Sequence, residues 1–152
     1  MKRWREIAAI AVLGILLPRG QGVDIAKLEP VEAIYIYIEE GKIRMQTDTG
    51  SEGTGYTLAE ALEDLHKTAS AVVFPDTADY LLVTEQTKSL LPELAGLLRP
   101  SAKVLLAAGP VDMERILPFI KNQDPRHTLK DVMMQDTAIP KLMYALGRYY
   151  LE

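Results

Sequence analysis

The stretch V-E-A-I-Y-I-Y-I, residues 31–38, most narrows what this chain can fold into. Ile34, Ile36 and Ile38 project to one side and Tyr35 and Tyr37 to the other, which is the period of a β-strand and not of a helix. A strand needs a pairing partner, and one follows at once. Glu39-Glu40-Gly41-Lys42 has turn chemistry, and residues 43–48 alternate Ile43, Met45 and Thr47 against Arg44 and Gln46, which predicts a hairpin with one solvated face.

Past a polar stretch, residues 49–56, Thr57 and Glu60 form a T-x-x-E capping box with Leu58, Leu62 and Leu65 at helical spacing. The spacing predicts a helix over 57–69. Residues 80–84 are a short apolar strand, and 85–98 have helical spacing through Leu90, Leu91, Leu94 and Leu98. Residues 103–108 are a second buried strand that Gly109-Pro110 stops, and Pro110 is placed to open a helix through Met113, Ile116, Leu117 and Ile120. The order β-β-α-β-α-β-α predicts an α/β fold of α+β type, a mixed β-sheet with helices packed on it. At 152 residues, 48% hydrophobic and 25% charged, the chain suits one globular domain. Residues 122–127, which include Pro125, read as a linker between a domain at 23–121 and a helical segment ending the range 122–152. In that segment Pro140 is placed to open a C-terminal helix, because Leu142, Met143, Leu146, Tyr149 and Tyr150 recur at three- and four-residue spacing. Its broad apolar face reads as a docking element for a partner.

The first residues carry a different signal. Lys2, Arg3 and Arg5 precede an uncharged apolar run at 7–17, then Pro18 and the small-x-small string Gly20-Gln21-Gly22. That order is the signal peptide's, and the apolar run is shorter than the roughly 20 residues a membrane span requires. Residues 1–22 are therefore expected to direct export and to be removed near Val23. The leader's four basic residues against Glu6 contribute +3, so subtracting it from the overall −4 leaves an acidic −7. An acidic remainder without a basic, aromatic-interleaved stripe argues against nucleic-acid binding.

Candidate chemistry is sparse. The run G-S-E-G-T-G at 50–55 enters a helix N-terminus, where backbone N–H groups favour a phosphate. It lacks the G-K-[ST] ending of a P-loop, Glu52 repels anions, and G-x-x-G-x-G reverses the dinucleotide fingerprint. It reads first as a flexible connector. Gly50, Gly53 and Gly55 in the 50–56 loop form a site only under the alternative, a small ligand-binding module or enzyme. His66 and His127 are the two imidazoles and have no metal-ligand spacing. With no cysteine there is no thiolate nucleophile or cysteine-ligated zinc. Glu60, Glu63, Asp64, Asp76 and Asp79 read as solvated or turn-forming carboxylates, and no serine lies in G-x-S-x-G. No catalytic residue, metal or cofactor is implied. Seven tyrosines against two phenylalanines suggest either an interface or cross-strand packing for Tyr35 and Tyr37, and for Tyr144, Tyr149 and Tyr150.

Several strings resemble the N-terminal domain of the Ger(x)C family, the C subunits of nutrient germinant receptors in endospore-forming bacteria. They are Gly22-Val23-Asp24 after the leader, the strand at 31–38, Gly41-Lys42-Ile43 in the hairpin, Glu52-Gly53 before the helix and T-L-A-E-A-L at 57–62. Residues 80–85 and 103–109 are similar to two further strands of that domain. The resemblance implies a non-enzymatic exported interaction domain, an accessory in spore germination or sporulation. It would act at the extracytoplasmic face of the membrane or in the spore envelope, with membrane germinant-receptor subunits as protein partners. Gly22 stands at the family's lipidated cysteine, so no lipid anchor is expected, and the chain ends where the family continues into further domains.

Overall fold

The computed structural model describes residues 28–135 and 137–152; the leader and Gly22-Val23-Asp24 lie outside the described residues. The first five strands are β1 (Leu28–Pro30), β2 (Ala33–Glu39), β3 (Lys42–Thr47), β4 (Glu52–Gly55) and, after helix α1 (Leu58–Thr68), β5 (Val72–Phe74). Then come β6 (Tyr80–Val83), the short helix α2 (Leu91–Leu94), β7 (Lys103–Ala107), α3 (Met113–Gln123), α4 (Leu129–Gln135), β8 (Lys141–Ala145) and β9 (Arg148–Leu151). Seven strands form one mixed sheet in the order β4-β3-β2-β6-β7-β8-β9, and β1 pairs with β5 in a separate parallel ribbon. Strands β2, β6, β7 and β8 run parallel, while β3 and β9 run against them. The chain is an α/β domain.

The alternation in β2 assigns the two faces. Ile34 and Ile36 join Met45, Leu81, Val83, Val104 and Leu106 beneath α1, α2 and α4, while Tyr35 joins Leu82, Leu105, Ala107 and Leu142 beneath α3. Leu81, Leu82 and Val83 are consecutive and fully buried, as a parallel strand covered on both faces requires. The hairpin turn puts Glu40 and Gly41 at positive φ, the two-residue geometry that matches strand twist. Thr57 caps α1, with Glu60 N donating to Thr57 Oγ1 at 3.2 Å, and the Glu60 side chain reaches back one residue beyond the cap, accepting from Tyr56 N at 2.8 Å.

Four local expectations are corrected. Residues 52–55 are the edge strand β4 and not a connector; four residues with two glycines offer no apolar alternation to read. In place of one helix over 85–98 there is a turn, a 3₁₀ segment (Lys88–Leu90) and α2. The buried Thr87 hydroxyl accepts from Thr84 N at 2.9 Å and donates to Ile36 O at 2.9 Å, holding that turn against β2 in competition with a helix. Pro110 stays in a loop, because Asp112 caps α3 by accepting from Arg115 N at 3.3 Å.

The fourth correction is the largest. The expected C-terminal helix is the hairpin β8–β9, turned by adjacent positive-φ residues Leu146 and Gly147. A glycine at that point weakens a helix and favours a hairpin turn, Tyr149-Tyr150 has β propensity, and the open edge of β7 supplies a template. Leu142 is 3% exposed in the core under α3, so the segment is part of the sheet.

Candidate functional site

Because β2, β6 and β7 are parallel, their carboxyl ends open on one side, where binding crevices of open α/β sheets form. There the Ala108-Gly109-Pro110-Val111 loop leaves β7 and crosses toward α3, with a cleft on either side of it. The larger, about 370 Å³, is lined by Tyr35, Tyr37, Ile38, Glu39, Gln46, Thr84, Pro110 and Val111. The smaller, about 200 Å³, is lined by the loop itself with Leu142, Met143, Tyr144 and Tyr149.

Two tyrosines pin this loop. Tyr35 OH donates to Gly109 O at 3.2 Å, and Tyr149 OH accepts from Asp112 N at 3.2 Å. Tyr35 and Tyr37 stack with ring centroids 4.7 Å apart, and Tyr149 lies 4.8 Å from Tyr144 and 6.1 Å from Phe119. Each cleft thus has a tyrosine pair on one wall and aliphatic groups opposite, and the polar side chains are Glu39, Gln46, Thr84 and the tyrosines. Arg44 pairs with Glu39 at 3.0 Å and donates to Thr54 Oγ1 at 3.1 Å, so that carboxylate is held at the rim.

Burial, and secondarily Tyr37, pushes the Tyr35 hydroxyl up to about 12. Tyr37 is raised as well, first by burial and then by the carboxylates of Glu39 and Glu52. A folded-state value above the unfolded one means that unfolding favours the phenolate. The Tyr35 contribution is thus complete below pH 10 and is lost as pH rises from 10 through about 12. Urea unfolding across that window should show falling stability, and Tyr35→Phe should flatten the fall; an unchanged slope in Tyr35→Phe would remove Tyr35 as its source.

The structure brings Tyr35, Tyr37, Leu142 and Tyr149 to this one surface, although they come from opposite ends of the described chain. Leu142 is nevertheless a core residue. Leu146 sits fully exposed at the β8–β9 tip, and Tyr150, 41% exposed, alternates onto the opposite face from Tyr149; neither lines the groove. Gln46, Thr84, Pro110 and Val111 had no functional signal in the sequence beyond the strand stop at Gly109-Pro110.

Gly53 and Gly55 lie in the edge strand β4. They let β4 approach α1 so closely that an added Cβ would overlap the helix backbone. Gly50, at φ +86, turns β3 into β4 beside an open polar depression of about 510 Å³ that includes Arg44, Glu52 and Asp64. Asp64 accepts from Thr54 N at 2.8 Å, which ties it to the strand. Glu60 serves the helix cap and Glu63 pairs with Lys67 at 2.6 Å. Asp79 pairs with Arg99. Among the described residues no group of three or more His, Asp or Glu side chains converges as a metal site, and no helix is long and apolar enough to cross a membrane. The chain matches no protein-family model, no curated protein and no solved structure.

Proposed function

We propose that this chain is a non-enzymatic exported interaction domain that receives a segment of a protein partner in the aromatic groove over its strand ends. The observation that carries the reading is the tyrosine-pinned loop with aromatic clefts on both sides. Tyrosine supplies large, stiff apolar area with a wettable end, the composition of energetically dominant interface anchors. The pinned loop adds pre-organisation, so little ordering entropy opposes binding.

The resemblance to the first domain of germinant-receptor C subunits supplies the partner class. On that reading the groove faces membrane receptor subunits at the extracytoplasmic surface or in the spore envelope, as an accessory in germination or sporulation. Without a cysteine the given sequence offers no thiol for diacylglyceryl attachment.

The test is co-purification of the chain with detergent-solubilised germinant-receptor membrane subunits. Tyr37→Ala combined with Tyr144→Ala should weaken binding at least about tenfold while leaving the far-UV circular dichroism unchanged. Undiminished binding by the variant, or none by the parent, overturns the reading. A second reading, a small-ligand site in the 370 Å³ cleft, is favoured by a volume in the range of small-molecule pockets. Saturable binding of a small aromatic compound that Thr84→Val abolishes would support it.

A further inference from the structure

The two edges of the main sheet are finished differently. At β4 two of the outward backbone groups are occupied: Thr54 N donates to Asp64 Oδ2 at 2.8 Å and Glu52 O accepts from Thr68 Oγ1 at 2.6 Å, both side chains coming from α1. A further strand there would have to displace both contacts. At β9 no such covering exists among the described residues. Lys141 and Glu152 exchange both backbone hydrogen bonds, at 2.9 and 2.8 Å, so Arg148, Tyr150 and Glu152 direct their backbone groups inward to β8. Tyr149 and Leu151 direct theirs outward, and these have no hydrogen-bond partner among the described residues. β9 is short and carries Arg148, but it has no proline, lysine or bulge, and its Tyr-Tyr-Leu run is strand-forming.

The sequence of this edge is self-complementary. Laid antiparallel against its own copy with Tyr150 on the twofold axis, Tyr149 faces Leu151 of the second copy and Arg148 faces Glu152. The outward residues, Tyr149 and Leu151, then fall at the hydrogen-bonded positions. Tyr150 meets its equivalent at a non-hydrogen-bonded position, where side chains stand closest. Arg148, Tyr150 and Glu152 lie on one face of the strand, so each end of the pairing carries an opposite-charge cross-strand pair beside the tyrosines. Shifting the register by two residues breaks both charge pairs.

We propose that β9 pairs antiparallel with β9 of a second copy of this chain, joining two seven-stranded sheets into one across a twofold axis at Tyr150. The occupant is a second copy because this self-pairing sets Arg148 against Glu152 at both ends. The pairing uses the sheet edge and leaves the groove open, so it stands or falls separately from the partner reading above. A short ladder buries little area, so the dimer is weak and depends on concentration.

The experiment is sedimentation equilibrium of the chain over a concentration series. Arg148→Glu places like charges opposite each other twice per dimer and should raise the dissociation constant about tenfold or more; Glu152→Arg should do the same. The double variant Arg148→Glu/Glu152→Arg should restore the parent value. All four residues involved in the two pairs are exposed in the monomer, and far-UV circular dichroism checks that each variant is folded. Because the chain has no cysteine, Tyr150→Cys introduces a single thiol. At a non-hydrogen-bonded antiparallel position its separation from the equivalent thiol suits a disulfide, so air oxidation should give covalent dimer at least about tenfold faster than in Lys67→Cys. A monomer at every concentration overturns the proposal, as does failure of the charge swap to restore association. It is also overturned if a strand peptide of unrelated sequence, and not a second copy, protects the Tyr149 and Leu151 amides from exchange.

Discussion

Gly53→Ala is expected to destabilise the domain by about 3 kcal/mol or more, a large share of the roughly 5–15 kcal/mol that holds an ordinary domain folded. A Cβ at Gly53 would overlap the carbonyl oxygen of Ala61 and stand 2.5 Å from the amide nitrogen of Leu65. Both atoms belong to the backbone of α1, so no side-chain rotation relieves the clash. The helix must lift from β4, and lifting it unpacks Leu58, Ala61 and Leu65, which are at most 1% exposed. Gly50→Ala separates this packing effect from backbone strain. A Cβ there meets nothing within 4 Å, but φ is +86, so the loss should be about 1 kcal/mol. Thermal unfolding followed by far-UV circular dichroism distinguishes the two, and equal losses at both positions would show that close approach is not what Gly53 provides.

Deletion of residues 141–152 is expected to unfold the domain. The segment supplies Leu142 to the α3 core, with Tyr149 and Leu151 packed against it. It also pairs β7, with Ala108 N donating to Leu142 O at 3.0 Å. Loss of Leu142 packing alone corresponds to about 3 kcal/mol. Removing the ladder and two further apolar side chains raises the loss to at least about 5 kcal/mol, comparable to the whole stability of a domain this size. The truncated chain should show non-cooperative thermal unfolding and unprotected amides in β7. A cooperative melt within about 1 kcal/mol of the parent would make the hairpin an appendage and return it to the docking role that its helical spacing suggested.

Features set by neighbours in the chain were legible in the sequence. The alternation in β2 and β3 and the Thr57 cap of α1 each depend on residues within four or five positions. What depended on distant partners was not. Strands β1 and β5 have three residues each and are defined by one another across some forty positions of chain. The spacing of Leu142, Leu146 and Tyr149 satisfies a helix as well as it fits parts of a hairpin, and the free edge of β7 decides between them. The glycines at 50–55 were ambiguous for another reason. The same residue type serves a phosphate cradle and a close helix contact, and only the position of α1 distinguishes the two. Of the groove, the sequence showed that Tyr35 and Tyr37 face away from the isoleucines. It did not show that a loop more than seventy residues later would rest on them.

Strands β2, β6, β7, β8 and β9 lie side by side in the order in which translation produces them. During synthesis each newly emerged strand meets an edge left by its predecessor, so the sheet widens in one direction as the nascent chain lengthens. The growing row of unpaired donors and acceptors passes from β2 to β6, to β7 and to β8. At every stage the incoming strand has one template to find, which limits misregistered pairing during folding. The opposite border, partly occupied by Asp64 and Thr68 of α1, offers a poorer template. Growth therefore has a polarity built into the topology, and the recruiting surface it carries outward is the one that β9 still presents when the described chain is folded.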